Sequence, residues 1–321
     1  MVKLDLFNPE QLQKQIRLQR QNAWSEEDIP FSLSINPDLD FLPLDKDNLF
    51  FPQASPAQKV ALSQLFGLVL NEIISEMECC LPRLKYVGWE MMLKKYPISP
   101  ELEELGEIFF EEEEKHARAF RSYLHLFAKK MDLDLVQLKS LLPKAFNSNF
   151  QNTIIENAKN GGHAFWWVVA AVEDVSVQVF REIRKHRGQV DPLFYELHRY
   201  HAEEEARHEN YAFLMLEVAK HNANSLKEKL HIKKDLLIAQ TIAAPWLLTE
   251  LTKVFRAEDY RKDHPWFELI ASSLPLFGNI SKVEVVQKCW SKAPYIGWLI
   301  NPSYQKKNLK FARSHGALSW I

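Results

Sequence analysis

The chain has 321 residues, of which 46% are hydrophobic and 26% charged, with a net charge of −2. That is enough for one large domain or two small ones, and the near-neutral balance leaves no footprint for nucleic acid or an anionic membrane surface. Three cysteines, two of them adjacent (Cys79, Cys80), do not form a disulfide framework and fit a reducing cytoplasm. The N-terminal MVKLDLFNPEQ lacks the basic-then-apolar order of a signal peptide. The most apolar run, FWWVVAAV at 165–172, is far shorter than the ~20 residues of a membrane span. A cytoplasmic protein with neither nucleic acid nor membrane as partner is expected.

Residues 1–54 are rich in Pro, Asp and Asn, which predicts a short amphipathic start and then an extended arm. Ser55-Pro56, Ser99-Pro100 and Asp191-Pro192 each place a capping oxygen before a proline at the first helical position. Helices are expected over 56–80, 83–96, 100–130, 133–142, 164–187, 192–222, 226–257 and 263–274, with Pro245 kinking the seventh. No strand-like alternation of useful length occurs, so the class is all-α, with four long helices as the natural core of a bundle. We therefore divide the chain into an N-terminal arm (1–54), a helical domain (55–260) and a mixed helical or irregular extension (261–321) packed on it.

The long helices carry acid on their apolar faces, reading positions 3, 4 and 7 apart as one face. The stripe over 100–130 runs Leu102, Leu105, Phe109, Glu113, His116, Phe120, Leu124 and Phe127. Over 192–222 it runs Phe194, Leu197, His201, Glu205, His208, Ala212 and Met215. Glu173 interrupts Trp166, Val169, Ala170, Val177 and Phe180 in the fifth helix, and Glu76 interrupts Leu62, Phe66, Val69, Ile73 and Cys80 in the first. A buried carboxylate is costly unless paired or bound to a metal. Four glutamates and two histidines converging on one core match a ferritin-like two-metal set: one Glu from each of two helices and one Glu-x-x-His from each of the other two. A single Glu-x-x-His is a weak signal. A third copy, Glu228 to His231, lies in the basic stretch KEKLHIKK with no apolar stripe and reads as a surface accident. Charge-paired core residues are the competing explanation for the whole pattern.

In the first helix Glu72 competes with Glu76 for the inward place. The stripe's centre favours Glu76, and Glu78 falls on roughly the opposite side, toward solvent. Glu112 and Glu204, each just before a motif glutamate, are expected to steady the histidines from outside, with Arg207 pairing to one of them. Glu203 and Glu209 read as solvated, and His198, about 60° off its stripe, as structural.

These residues resemble the p-aminobenzoate N-oxygenase family of diiron enzymes. Its signature is a Glu followed, roughly thirty residues on, by an acidic residue and E-x-x-H, the whole occurring twice. Glu76 precedes EEKH (113–116) by 37 residues and Glu173 precedes EARH (205–208) by 32, whereas Glu72 would lie 41 away. The likeness covers roughly residues 60–220. The family adds a third histidine one turn before the last Glu, and His201 stands there; its plainer reading is a hydrogen-bonded core histidine. The resemblance implies two Fe ions, manganese remaining open for one site, held by Glu76, Glu113, His116, Glu173, His201, Glu205 and His208. It further implies O2 as co-substrate, an external electron donor, and oxidation of an arylamine nitrogen toward hydroxylamine and nitro products; a homodimer is expected. Phe109, Trp166, Trp167, Phe180 and Tyr211 are bulky enough to line a substrate pocket, or are simply core. The rivals are a diiron desaturase or hydroxylase acting on an acyl chain and a non-enzymatic ferritin-like iron-binding bundle.

Overall fold

The computed structural model describes residues 8–42, 53–144, 146–158, 162–232, 234–235, 254, 256, 260 and 263–277. Its elements are α1 (Pro9–Gln21), α2 (Pro56–Lys85), α3 (Met91–Lys95), α4 (Pro100–Lys130), α5 (Leu135–Leu141), α6 (Ser148–Ala158), α7 (His163–Lys185) and α8 (Pro192–His221). A helix at Pro265–Ser273 follows. There is no strand among the described residues, only an isolated bridge between Asp40 and Val190. Most of the expected 226–257 helix, its Pro245 kink and the extension beyond residue 277 lie outside the described residues.

The caps form as the Ser-Pro and Asp-Pro pairs predict. Ser55 accepts from the Gln58 N–H, Ser99 from Leu102 and Asp191 from Phe194, each with proline in the first turn. Asp191 also accepts from the Asn36 N–H at 2.8 Å, so one carboxylate both starts α8 and pins the arm. Two expectations need correction. The helix drawn over 83–96 is not separate: α2 passes through a π-helical turn, Tyr86–Glu90, into α3. That turn aims the Gly88 carbonyl at the Trp166 indole N–H (3.0 Å), and Gly88 is obligatory because a Cβ there would enter the Phe165 ring. The second is α6, Ser148–Ala158, which lies between the helices expected over 133–142 and 164–187.

Helix α2 packs on α4 and α7 on α8, and the two pairs meet along α4 and α8. Within each pair the chains run antiparallel, with Ser75 bonded to the Ala117 carbonyl and Lys85 to Glu107 in one, and Trp166 against Tyr211 and Phe180 against Tyr195 in the other. The apolar interior is divided in two. One cluster holds Leu62–Ile74, Ala119–Phe127, Val179, Ile183 and Leu193–Leu197; the other holds Met77–Leu84, Leu102–Phe110, Phe165–Ala170 and Tyr211–Ala219. Between them lies a layer of buried polar side chains. The stretch Pro56–Lys95 has the length and hydropathy to cross a membrane, yet 78% of that apolar window is buried inside the bundle.

Candidate metal centre

The polar layer holds Glu78, Glu113, His116, Glu173, His201, Glu205 and His208, all between 0% and 1% exposed. Two overlapping groups, Glu78-His116-His201-Glu205 and Glu113-His116-Glu205-His208, each bring their ligand atoms within 4.8 Å of one another. The His201 Nε2 lies 2.6 Å from Glu78 and 2.8 Å from Glu205. The His208 Nδ1 lies 2.8 Å from Glu113, and the His116 Nδ1 3.0 Å from Glu205. Glu173 is buried beside Glu205, whose charge adds to burial in opposing its ionisation.

Glu76 is not in this centre; Glu78 takes the place expected for it. Glu76 lies on the partly exposed edge of α2, where its carboxylate receives the Phe146 backbone N–H at 3.4 Å. The apolar stripe misleads because α2 is buried nearly all round: every residue from Ala61 to Asn71 is inside, so hydrophobicity has no single centre. The less buried positions, Glu72, Glu76, Cys79 and Pro82, mark the true outer edge. A usable signal existed in the polar residues. Asn71, Ser75 and Glu78 fall within about 60° of one another on a helix, and they meet His198, the Ala117 carbonyl and His201. Glu209, expected in solvent, is also buried.

Glu112 and Glu204 hold the histidines reciprocally. Glu112 on α4 accepts from the Nε2 of His208 on α8 at 2.8 Å, and Glu204 on α8 accepts from the Nε2 of His116 on α4 at 2.7 Å. When Nε2 carries the proton and Nδ1 has lost its own, each ring presents an Nδ1 lone pair to the centre, the form a metal ligand requires. Arg207 Nη2 lies 3.7 Å from Glu112 and 3.4 Å from Glu204, and Lys115 Nζ lies 2.7 Å from Glu204. Two cations thus offset two outer carboxylates. Lys115 was missed in the sequence, as were Gln19 and Trp24, which reach this layer from the arm. His198 is structural: its Nε2 meets Asn71 at 2.9 Å, and burial holds its pKa well below the ordinary value.

The inner ring has no such balance. Burial, then the charges of Glu113 and Glu205, push Glu78 well above the usual carboxylate range, and burial beside Glu205 does the same to Glu173. Burial also raises Glu113, against the pull of His208. Burial opposes ionisation of Glu205 too, but His201 and His208 outweigh it and hold Glu205 well below the usual range. Both carboxylate oxygens of Glu113, Glu173 and Glu205, one of Glu78, and the Nδ1 atoms of His116 and His208 are buried without a hydrogen bond. So many orphaned atoms facing one point would be costly for a purely structural layer. Cations would satisfy them: four carboxylates could balance two divalent ions, and three imidazoles could add neutral donors. The donor set fits the pair of metals that the sequence resemblance implies, held by Glu78, Glu113, His116, Glu173, His201, Glu205 and His208.

On one side the centre is walled by aromatic rings. Phe109 stands edge-on to His208 with centroids 4.8 Å apart, and Trp166 and Tyr211 pack behind it. Tyr211 receives the Trp89 indole N–H at 2.8 Å. Of the remaining candidate pocket residues, Trp167 is buried and Phe180 partly buried against the far cluster. No family model matches the chain, and neither the curated proteins nor the solved structures include a match to it.

Proposed function

We propose that the chain is a two-metal oxygenase of the p-aminobenzoate N-oxygenase kind, oxidising the nitrogen of an aromatic amine or a related small substrate with O2. The observation that carries this reading is the third imidazole. His201 turns Nε2 into the centre against Glu78 and Glu205, where a four-carboxylate, two-histidine set would already suffice to hold two ions. A neutral donor in that place enriches one metal position in nitrogen and tunes it without adding charge. Iron suits the mixed carboxylate and imidazole donors, with manganese chemically acceptable at one position; bound there, it supplies the redox chemistry of O2 with an external electron donor. The chain's own residues do the rest. Glu112 and Glu204 fix which nitrogen of each histidine faces inward, and the Phe109–Trp166–Tyr211 wall keeps water from the centre.

The test has two stages. Protein from iron-supplemented cells should carry about two metal ions per chain; fewer than about one would overturn the metal centre. Iron-loaded, chemically reduced protein should then consume O2 in an arylamine-dependent way, with hydroxylamine or nitro product detected by mass spectrometry. A metal-replete protein that gives no amine-derived product would overturn the oxygenase reading while leaving the metal centre intact.

A further inference from the structure

The segment that sequence alone reads as an extended arm touches the metal layer at both of its outer carboxylates. Gln19, at the end of α1 and 5% exposed, donates its side-chain N–H to Glu112 Oε2 at 2.8 Å, the same oxygen that accepts from His208. Trp24 follows five residues later. Its backbone N–H points at Glu204 Oε1 (3.4 Å), and its carbonyl accepts from Lys115 at 2.9 Å. Its indole stacks on the His116 imidazole, 5.4 Å between centroids and 12° from parallel. Lys115 Nζ also stands 4.1 Å over that indole, so it is clamped between Trp24 and Glu204.

We infer that Gln19 and Trp24 are positioning residues of the metal centre, making the N-terminal segment part of the site. The inference rests on the metal reading above. Gln19 acts on His208 through Glu112: its N–H occupies one lone pair of Oε2 and so fixes the carboxylate plane that receives the His208 proton. Trp24 acts on His116 in two ways, by packing against the ring face and by holding Glu204 and Lys115 in register. Each motif histidine is therefore oriented by one residue of the opposite motif helix and one of the arm. The arm's own attachment is independent of the metal. Leu12 and Ile16 enter the core beside α4, Arg118 on α4 pairs with Glu26, and Arg20 pairs with Glu104.

The test compares Co(II) binding to full-length wild type, Gln19→Met, Trp24→Ala and Trp24→Phe, by titration calorimetry and by the visible absorption of the bound ion. Gln19→Met keeps roughly the volume and removes the amide that donates to Glu112; Trp24→Phe keeps an aromatic ring against His116, while every Trp24 variant keeps the backbone N–H. Far-UV circular dichroism and metal-free melting report folding separately. Gln19→Met and Trp24→Ala should bind Co(II) about 10-fold or more weakly, with an altered visible band, in protein that is still folded; outer partners of metal ligands typically matter by ~10–100-fold. Trp24→Phe should recover most of the loss. Affinity and band unchanged from wild type in Gln19→Met, together with Trp24→Ala that is either unchanged or weakened only through loss of the fold, would overturn the inference. Failure of wild type to bind Co(II) at all would overturn the metal reading itself, and this inference with it.

Discussion

Replacing Glu78 by Gln should strip the centre of a metal, and replacing Glu76 should not. Glu78 Oε1 lies 2.6 Å from His201 and its Oε2 has no hydrogen bond. Glu76 instead reaches outward to the Phe146 N–H. Four carboxylates balance two divalent ions; Glu78→Gln leaves three and removes one donor oxygen. Outer partners of metal ligands are worth ~10–100-fold in affinity, so a residue facing the ion should cost at least ~100-fold. A metal present at 100 times its dissociation constant stabilises the fold by ~2.7 kcal/mol, and a 100-fold weaker one by ~0.4 kcal/mol. At ~2 °C per kcal/mol for a chain this large, the metal-induced rise in melting temperature should shrink from ~5 °C to ~1 °C. The metal-free variant should melt no lower than wild type, since burial, then the charges of Glu113 and Glu205, already oppose ionisation of the Glu78 carboxyl that Gln replaces. The assay is a melting curve with and without Co(II), alongside metal analysis, for both variants. A metal-dependent shift lost in Glu76→Gln and kept in Glu78→Gln would refute the placement of α2.

His201→Ala should leave a folded protein that still binds metal but shows an altered Co(II) visible spectrum, since one nitrogen donor is gone; an unchanged spectrum would return His201 to the core. A pH series tests the inner ring. Glu78, Glu113 and Glu173 have folded pKa values above their ordinary 4.5, and His116 and His208 above 6.5. The stability these raised groups give the metal-free protein is therefore full at low pH and lost as pH rises. Glu205 and Glu204 (the latter about 2) run the other way, adding stability above 4.5 that is lost on acidification. His198 and His201, held below 6.5 by burial, also gain stability as pH rises to 6.5. Above 6.5 the raised groups decide the change, so metal-free melting should fall as pH rises further while the Co(II)-induced rise grows, because metal displaces protons. A Co(II) effect that stays flat or shrinks with pH would contradict this. Gly106→Ala should destabilise by about 1–3 kcal/mol in chemical denaturation, because its Cβ would enter the Trp89–Tyr211 contact; a neutral result would show that wall to be loosely packed.

The fold was legible where local chemistry is explicit. Ser55, Ser99 and Asp191 announce their helices because a capping oxygen and a proline act within one turn, whatever lies beyond. The stripes on α4 and α8 were equally readable, since each has a solvated face to contrast with its apolar one, carrying Glu103, Glu107, Glu111 and Glu114 on α4 and Glu203, Ala206 and Asn210 on α8. The junction of α2 and α3 was not: the expected helices stop at 80 and restart at 83, on either side of Pro82, whereas one helix runs through that proline to a π-helical turn. In the fold Pro82 sits inside the helix, and Gly88 is needed for contact with Phe165 rather than for a turn.

At the centre, the misplacement of Glu76 and the omission of Gln19 and Trp24 have related causes. A site holding four carboxylates out of water needs neighbours on every side, and α2 supplies them by being buried nearly all round. That burial erases the hydrophobic contrast that would have fixed its rotation, so the helix most enclosed by the site is the one whose phase sequence reports least. Polar periodicity survives where apolar periodicity fails: Asn71, Ser75 and Glu78 still point one way, because each must find a partner. The arm lacks even that signal. Gln19 and Trp24 reach Glu112 and Glu204 across 93 and 180 residues of chain, and no periodicity within one segment can encode a contact with another. What singles them out is unmet demand at the receiving end, where two buried carboxylates orient two histidines and still have lone pairs to fill.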